Sequence, residues 1–224
     1  TISGLSAINV TLDASNNVAN HVAAANYSVA NINTIMGLTT GTVTATATEV
    51  EVNTLLTLAE SGHNINVNPD TTATADAYTA SSLITLNALT NVSVTCTETL
   101  RLTGSAADLK TILAANTAAA SVVAGTTQLT GLENNAVTVS GATLNAVDLT
   151  TIDAATSGLV THTATTLVGT QDEISAVYAA DANNVNTITG TANQAITLTE
   201  ATVAAGAAVL FFSGFARSVS YTHL

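Results

Sequence analysis

A single cysteine, Cys96, stands in a chain of 224 residues, so no intrachain disulfide forms and no cluster of thiolates can gather a zinc ion. Tryptophan is absent and aromatic residues make up only 3% of the chain. Any core must therefore be filled by small and aliphatic side chains rather than by large rings. Proline occurs once, as Pro69 in the polar stretch from Asn66 to Thr72. Basic residues are nearly missing too: Arg101, Lys110 and Arg217 face fifteen acids, which leaves a net charge of -12. Neutralising phosphates needs a stripe of Lys or Arg, so nucleic-acid binding is excluded, and an anionic lipid surface would repel the chain. No apolar run approaches the roughly 20 residues of a membrane-spanning helix.

What the chain does contain is Ala, Thr, Val and Asn, with 47% hydrophobic and 8% charged residues and a mean hydropathy of +0.42. Low charge alone would suit disorder, but the regular spacing of Val, Leu and Ile predicts folding. The length is ample for burying a core.

Self-comparison exposes internal similarity. The run Gly104 to Ala115 matches Gly169 to Ala180, with an earlier relative in Ala47 to Leu56, and Ala136 to Ala146 matches Ala195 to Ala205. Helical ends recur as Ile32 to Gly37, Leu83 to Ala88 and Leu149 to Ala154, at offsets of 51 and 66. The reading is a loose period of roughly sixty residues holding two related half-units, with insertions carried by loops. Residues 1–215 then form one array of about three and a half degenerate periods, incomplete at both ends. Residues 216–224 break the composition. They resemble the translated adapter tail of reading frames assembled from environmental DNA, and they read as an artefactual, non-repeat tail.

Within a period, Ser105 and Thr170 occupy N-cap positions, each with an acid three residues on. Leu109, Ile112 and Leu113 then fall on one helical face, as do Ile174, Val177 and Tyr178, and Leu144, Val147, Asp148 and Ile152 give a weaker stripe. Val92 to Val94, Leu159 to Thr163, Val185 to Thr189 and Ala195 to Leu198 read as short strands. The predicted fold is α/β: a tandem-repeat solenoid of short stacked parallel strands with short helices, one strand-helix unit per half-repeat.

The sharpest local pattern is a Thr-x-Thr-x-Thr run: Thr44, Thr46 and Thr48; Thr95, Thr97 and Thr99; Thr161, Thr163 and Thr165. These recur at the same offsets, which places them at one structural position, and the two-residue period of a strand points each trio to one side. They are the candidate surface-binding residues. Flat Thr-x-Thr arrays resemble those of ice-binding β-solenoids, but an intervening half-unit should double the strand spacing, so a solvated or hydrogen-bonded ladder is the plainer reading. His162 aligns with Ala45 and Cys96, so no histidine column exists, and His21, His63 and His223 are isolated. No metal site is predicted. Asp172 and Glu173 are adjacent and do not face each other on a helix; capping and solubility explain them. Asp148 and Asp153 read as a solvated face. No GxSxG, phosphate loop, HExxH or glycine-aspartate calcium repeat occurs. Three glycosylation sequons, at Asn9, Asn26 and Asn91, match by chance.

The phrases Leu102 to Leu109 and Ala136 to Val139 resemble those of the "beta strand repeat" proteins, long Ala- and Thr-rich surface or secreted proteins of aquatic bacteria, cyanobacteria among them. The resemblance spans nearly all of residues 1–215. It implies an extracellular or cell-surface, non-catalytic role, and it brings no catalytic residue and no cofactor. The expectation is a structural or adhesive repeat segment, with neighbouring repeats of the same chain and extracellular polymers as partners. The alternative is a surface-binding module for ice or carbohydrate that uses the threonine face.

Overall fold

The computed structural model describes residues 7–12, 27–70, 77–96, 101–116, 129–182, 187–192 and 194–199. In chain order the elements are β1 (Val10–Thr11), α1 (Val29–Met36), β2 (Val43–Thr46), α2 (Val52–Leu55), β3 (Asn64–Asn66), β4 (Ala77–Thr79), α3 (Ala80–Leu89), β5 (Val94–Thr95), β6 (Arg101–Ser105), α4 (Ala106–Ala115), β7 (Leu129–Thr130), β8 (Val137–Ser140), β9 (Thr143–Asn145), α5 (Ala146–Ala155), β10 (Val160–His162), β11 (Thr166–Gly169), α6 (Gln171–Ala182), β12 (Ile188–Thr189) and β13 (Ala195–Leu198).

The helices start where their caps dictate. Ser28, Thr79 and Ser105 each accept the amide three residues on, satisfying one of the orphan donors of the first turn. At α6 the exchange is reciprocal: Thr170 Oγ1 accepts from the Glu173 amide and Glu173 Oε2 accepts from the Thr170 amide, a capping box. Threonine inside the helices is accommodated by back-bonding, with Thr34, Thr85, Thr111 and Thr151 each donating to the carbonyl four residues earlier. Each helix buries one narrow stripe: Val29, Ile32 and Met36 in α1; Ala80, Leu83 and Leu86 in α3; Leu109, Ile112 and Leu113 in α4; Ala146, Leu149 and Ile152 in α5. In α5 the sequence places the stripe wrongly. Leu144 belongs to β9 and Val147 is exposed, because the helix begins only at Ala146.

Every ladder between strands is parallel, and the strands separate into four sheets: β1-β2-β3, β12-β10-β8-β6-β4, β13-β11-β9 and β5-β7. Inward positions are aliphatic, as in Val137 and Val139 of β8, while Thr138 and Ser140 face out. Helices α2 to α6 pack side by side in chain order. Their inner faces and those of the strands share one core, running from Val29 and Ile32 through Leu83, Leu102 and Leu109 to Leu167, Val177 and Ile196.

This arrangement corrects the predicted tandem-repeat solenoid. The fold is a compact multi-sheet α/β domain, and the matched runs are not all placed alike among its sheets. The similar runs beginning at Ala136 and Ala195 give β8, inside the five-stranded sheet, and β13, at the edge of a three-stranded one. Within the five-stranded sheet, β4 and β6 lead straight into helices, whereas β8 and β10 lead into further strands, β9 and β11. The extra strand β9 breaks any uniform strand-helix unit. The structural or adhesive repeat segment, and the tandem-repeat, secreted and surface-array description attached to it, fall with the solenoid, because a packed core joining distant elements is not an extended spacer. The tail at 216–224 lies outside the described residues.

A candidate binding cleft and the rows of hydroxyls

The three threonine runs do not come together. Thr44 and Thr46 lie in β2, Thr95 in β5 and Thr161 in β10, which belong to three different sheets. Thr97 and Thr99 lie outside the described residues, and Thr48, Thr163 and Thr165 follow the ends of their strands. Ala45, Cys96 and His162, which stand beside these threonines, are all buried. Partners differ at each run. Thr44 pairs with Thr11 and Asn64, Thr95 with Thr130, and Thr161 with Thr138 and Thr189.

A different row forms instead. Thr79, Thr103, Thr138, Thr161 and Thr189 follow one another in register across all five strands of the large sheet. Thr161 and Thr189 share a hydroxyl hydrogen bond of 3.2 Å. The neighbours of Thr161 on the adjacent strands are therefore threonines from outside the three runs. Yet the row is single file. Two residues further along, β6 and β8 carry Ser105 and Ser140, so the Thr-x-Thr plane required by the ice or carbohydrate reading is not built.

A third set of threonines, invisible as a site in the sequence, is buried. Thr39, Thr90 and Thr156 follow helices α1, α3 and α5 and recur at the offsets of the helical ends. Thr39 Oγ1 donates to Ile8 O at 2.6 Å, Thr90 Oγ1 to Ile65 O at 2.7 Å and Thr156 Oγ1 to Asn135 O at 2.8 Å. Each also accepts the amide two residues on, from Gly41, Val92 and Gly158. These hydroxyls fasten each post-helix turn to the chain segment beside it.

The cleft lies where one such turn meets the link before β3. Met36 to Thr42 form one wall and Glu60 to His63 the other, around a volume of about 460 Å³. His63 is buried, and its Nδ1 accepts the Val43 amide at 3.0 Å, which places the ring hydrogen on Nε2 in the neutral form. Nε2 faces Glu60 Oε2 at 3.7 Å, and the Glu60 side chain is 57% exposed. The ring is thus a wall fixed by the Val43 amide, while the carboxylate stands at the mouth beyond hydrogen-bond distance of it. Sequence reading left His63 as isolated. The available signal was the Glu60-x-x-His63 spacing, which does not act on a helix here, since the segment is a link rather than a regular element.

Of the other residues weighed from sequence, Asp148 pairs with Lys110, joining α5 to α4, and Glu173 caps α6. Asp153 bonds Thr187, and burial holds its carboxyl above the ordinary carboxylate value against that bond. Burial pushes the Cys96 thiol up to about 12. His21, His223 and Asn26 lie outside the described residues. Among the described residues no group of three or more His, Cys, Asp or Glu side chains gathers to hold a metal ion, and no helix is long and apolar enough to cross a membrane. Comparison with family models, with curated proteins and with solved structures finds no match.

Proposed function

We propose that this domain is a non-catalytic ligand-binding module whose site is the cleft between Met36–Thr42 and Glu60–His63, and that it takes a small polar molecule carrying a protonated amine. The observation that carries this reading is the pairing of a cleft of about 460 Å³ with one exposed carboxylate, Glu60, beside a buried histidine. A carboxylate accepts hydrogen bonds only, and a charged donor gives the strongest of them. Gly62 in the wall, where a side chain would meet open space, leaves the backbone accessible at the rim. The case against catalysis is geometric. Nδ1 of His63 is committed to the Val43 amide and Nε2 points at Glu60, so the ring has no nitrogen left to take a proton from a substrate.

Titration of the isotopically labelled domain with ethanolamine, and separately with glycerol, tests it. Ethanolamine is expected to shift the amide resonances of residues 37–42 and 60–63, glycerol to shift them far less, and Glu60→Gln to remove the ethanolamine response while leaving the fold intact. Shifts scattered away from the cleft, or an unchanged response in Glu60→Gln, would overturn the assignment.

A further inference from the structure

Away from the cleft, buried polar side chains concentrate where the link from β10 to β11 lies against the link from β12 to β13. His162 is 2% exposed and Gln194 is 4% exposed. Gln194 Nε2 lies 2.9 Å from Ala164 O, 3.2 Å from Gly190 O and 3.2 Å from His162 Nδ1. The two carbonyl oxygens only accept, so they fix the amide with its nitrogen toward them; turned over, Oε1 would confront both sets of lone pairs. The two hydrogens of that nitrogen serve three neighbours, so one is shared, and the ring atom facing this NH2 group presents a lone pair rather than an opposing N–H. Nδ1 must accept, which the imidazole does only when neutral and carrying its hydrogen on Nε2. The backbone leaves little room for retreat. Gly190 has φ +104°, and a Cβ there would come within 2.2 Å of His162 O.

We propose that His162 and Gln194 form an acid-opened latch: with the ring neutral, the amide ties the two links together and holds β12 and β13 against β10 and β11, and protonation at Nδ1 sets two N–H groups against each other and releases those two strands. The charged groups around the ring are few. From α6, Asp181 faces it, with its carboxylate bonded by Thr191 Oγ1. From α5, Asp148 is taken by Lys110 and Asp153 by Thr187, while β8, β11 and β12 bring no titratable side chain. Burial holds His162 below the ordinary histidine value of 6.5, with Asp181 opposing that shift. The unfolded chain therefore takes the proton more readily than the folded one. The stabilisation is whole above the ordinary value and drains as pH falls below it. Nε2 of His162 has no hydrogen-bond partner among the described residues, so its N–H is already unmatched in the neutral ring and protonation at Nδ1 buries a second unmatched donor.

Amide hydrogen exchange, corrected for its intrinsic pH dependence, separates a local latch from general acid destabilisation. Between about pH 7.5 and about pH 5 the protection of Thr189 in β12 and of Ala195, Thr197 and Thr199, whose amides turn toward β11, is expected to fall about tenfold or more, while Leu102 and Val137 keep theirs. In His162→Gln, whose amide oxygen still accepts but does not titrate in this range, the step is expected to vanish. Nitrogen NMR of the unaltered protein near neutral pH should show the Nε2–H tautomer. A uniform loss of protection across the domain, a step that survives in His162→Gln, or an Nδ1–H tautomer would each overturn the latch. Should His162→Gln fail to fold, the tautomer and the exchange pattern of the unaltered protein decide.

Discussion

A threonine hydroxyl in this chain has at least three different jobs, and burial decides which. On the strands it faces outward beside its neighbours; in the helices it returns to the carbonyl four residues back; after the helices it is enclosed and makes both a donor and an acceptor bond. Only the last kind leaves buried backbone groups stranded when removed. Thr156→Val, which keeps the shape and deletes the hydroxyl, is expected to cost about 1–3 kcal/mol in urea denaturation, whereas Thr138→Val on the exposed row should stay within about 0.5 kcal/mol. Equal effects would mean that Thr156 is not enclosed. Asp153 has the opposite sign. Its carboxyl is held above the ordinary value by burial, so ionisation works against folding above that value and the penalty is lifted as pH falls through it. Asp153→Asn should therefore stabilise the domain near neutral pH, with the gain shrinking on acidification; a gain that grows with acid would refute the account. None of this was legible as chemistry in the sequence, where Thr156 is one threonine among many and Asp153 reads as surface.

Short elements with narrow apolar stripes are what a chain poor in aromatics can build, and at this scale the sequence speaks clearly for some elements and not for others. The α4 stripe was readable because its three buried residues are all large: Leu109, Ile112 and Leu113. The start of α6 was readable because a capping box leaves a chemical signature at Thr170 and Glu173. In α5 the buried face begins with Ala146, which carries almost no hydrophobic signal, and Leu144 just before it pulls the periodicity out of phase. Leu109→Ala is expected to lose about 2–5 kcal/mol, against less than about 0.5 kcal/mol for Val147→Ala, as measured by thermal or urea unfolding. In the Lys110–Asp148 pair between α4 and α5 the lysine side chain is 38% exposed, so Lys110→Met should cost no more than about 1 kcal/mol, with the loss diminishing as salt is added.

At the scale of the whole molecule, local similarity and global placement part company. Strands of two to five residues bury at most two side chains each, and which neighbour such a strand finds depends on the lengths of the links and on the helices beside it, not on its own pattern. That is why the existence of β10, β12 and β13 could be read from composition while their distribution among sheets could not. The cleft was hidden for a related reason: its walls are two links that meet only after β2 and β3 have paired. Fifteen acids against three bases repel one another around this single core. Raising ionic strength from about 0.01 M to about 0.15 M, which shortens the screening length from about 30 Å to about 8 Å, is expected to raise the melting temperature, and a fall would speak against a compact packing of that charge. The central claim is that sheet order overrides sequence repetition, and interstrand nuclear Overhauser contacts test it most directly. The structure predicts backbone contacts from Thr161 to Thr138 and to Thr189, with Thr138 in turn touching Thr103. Contacts from Thr161 to Thr95, its counterpart in the repeat, would contradict it.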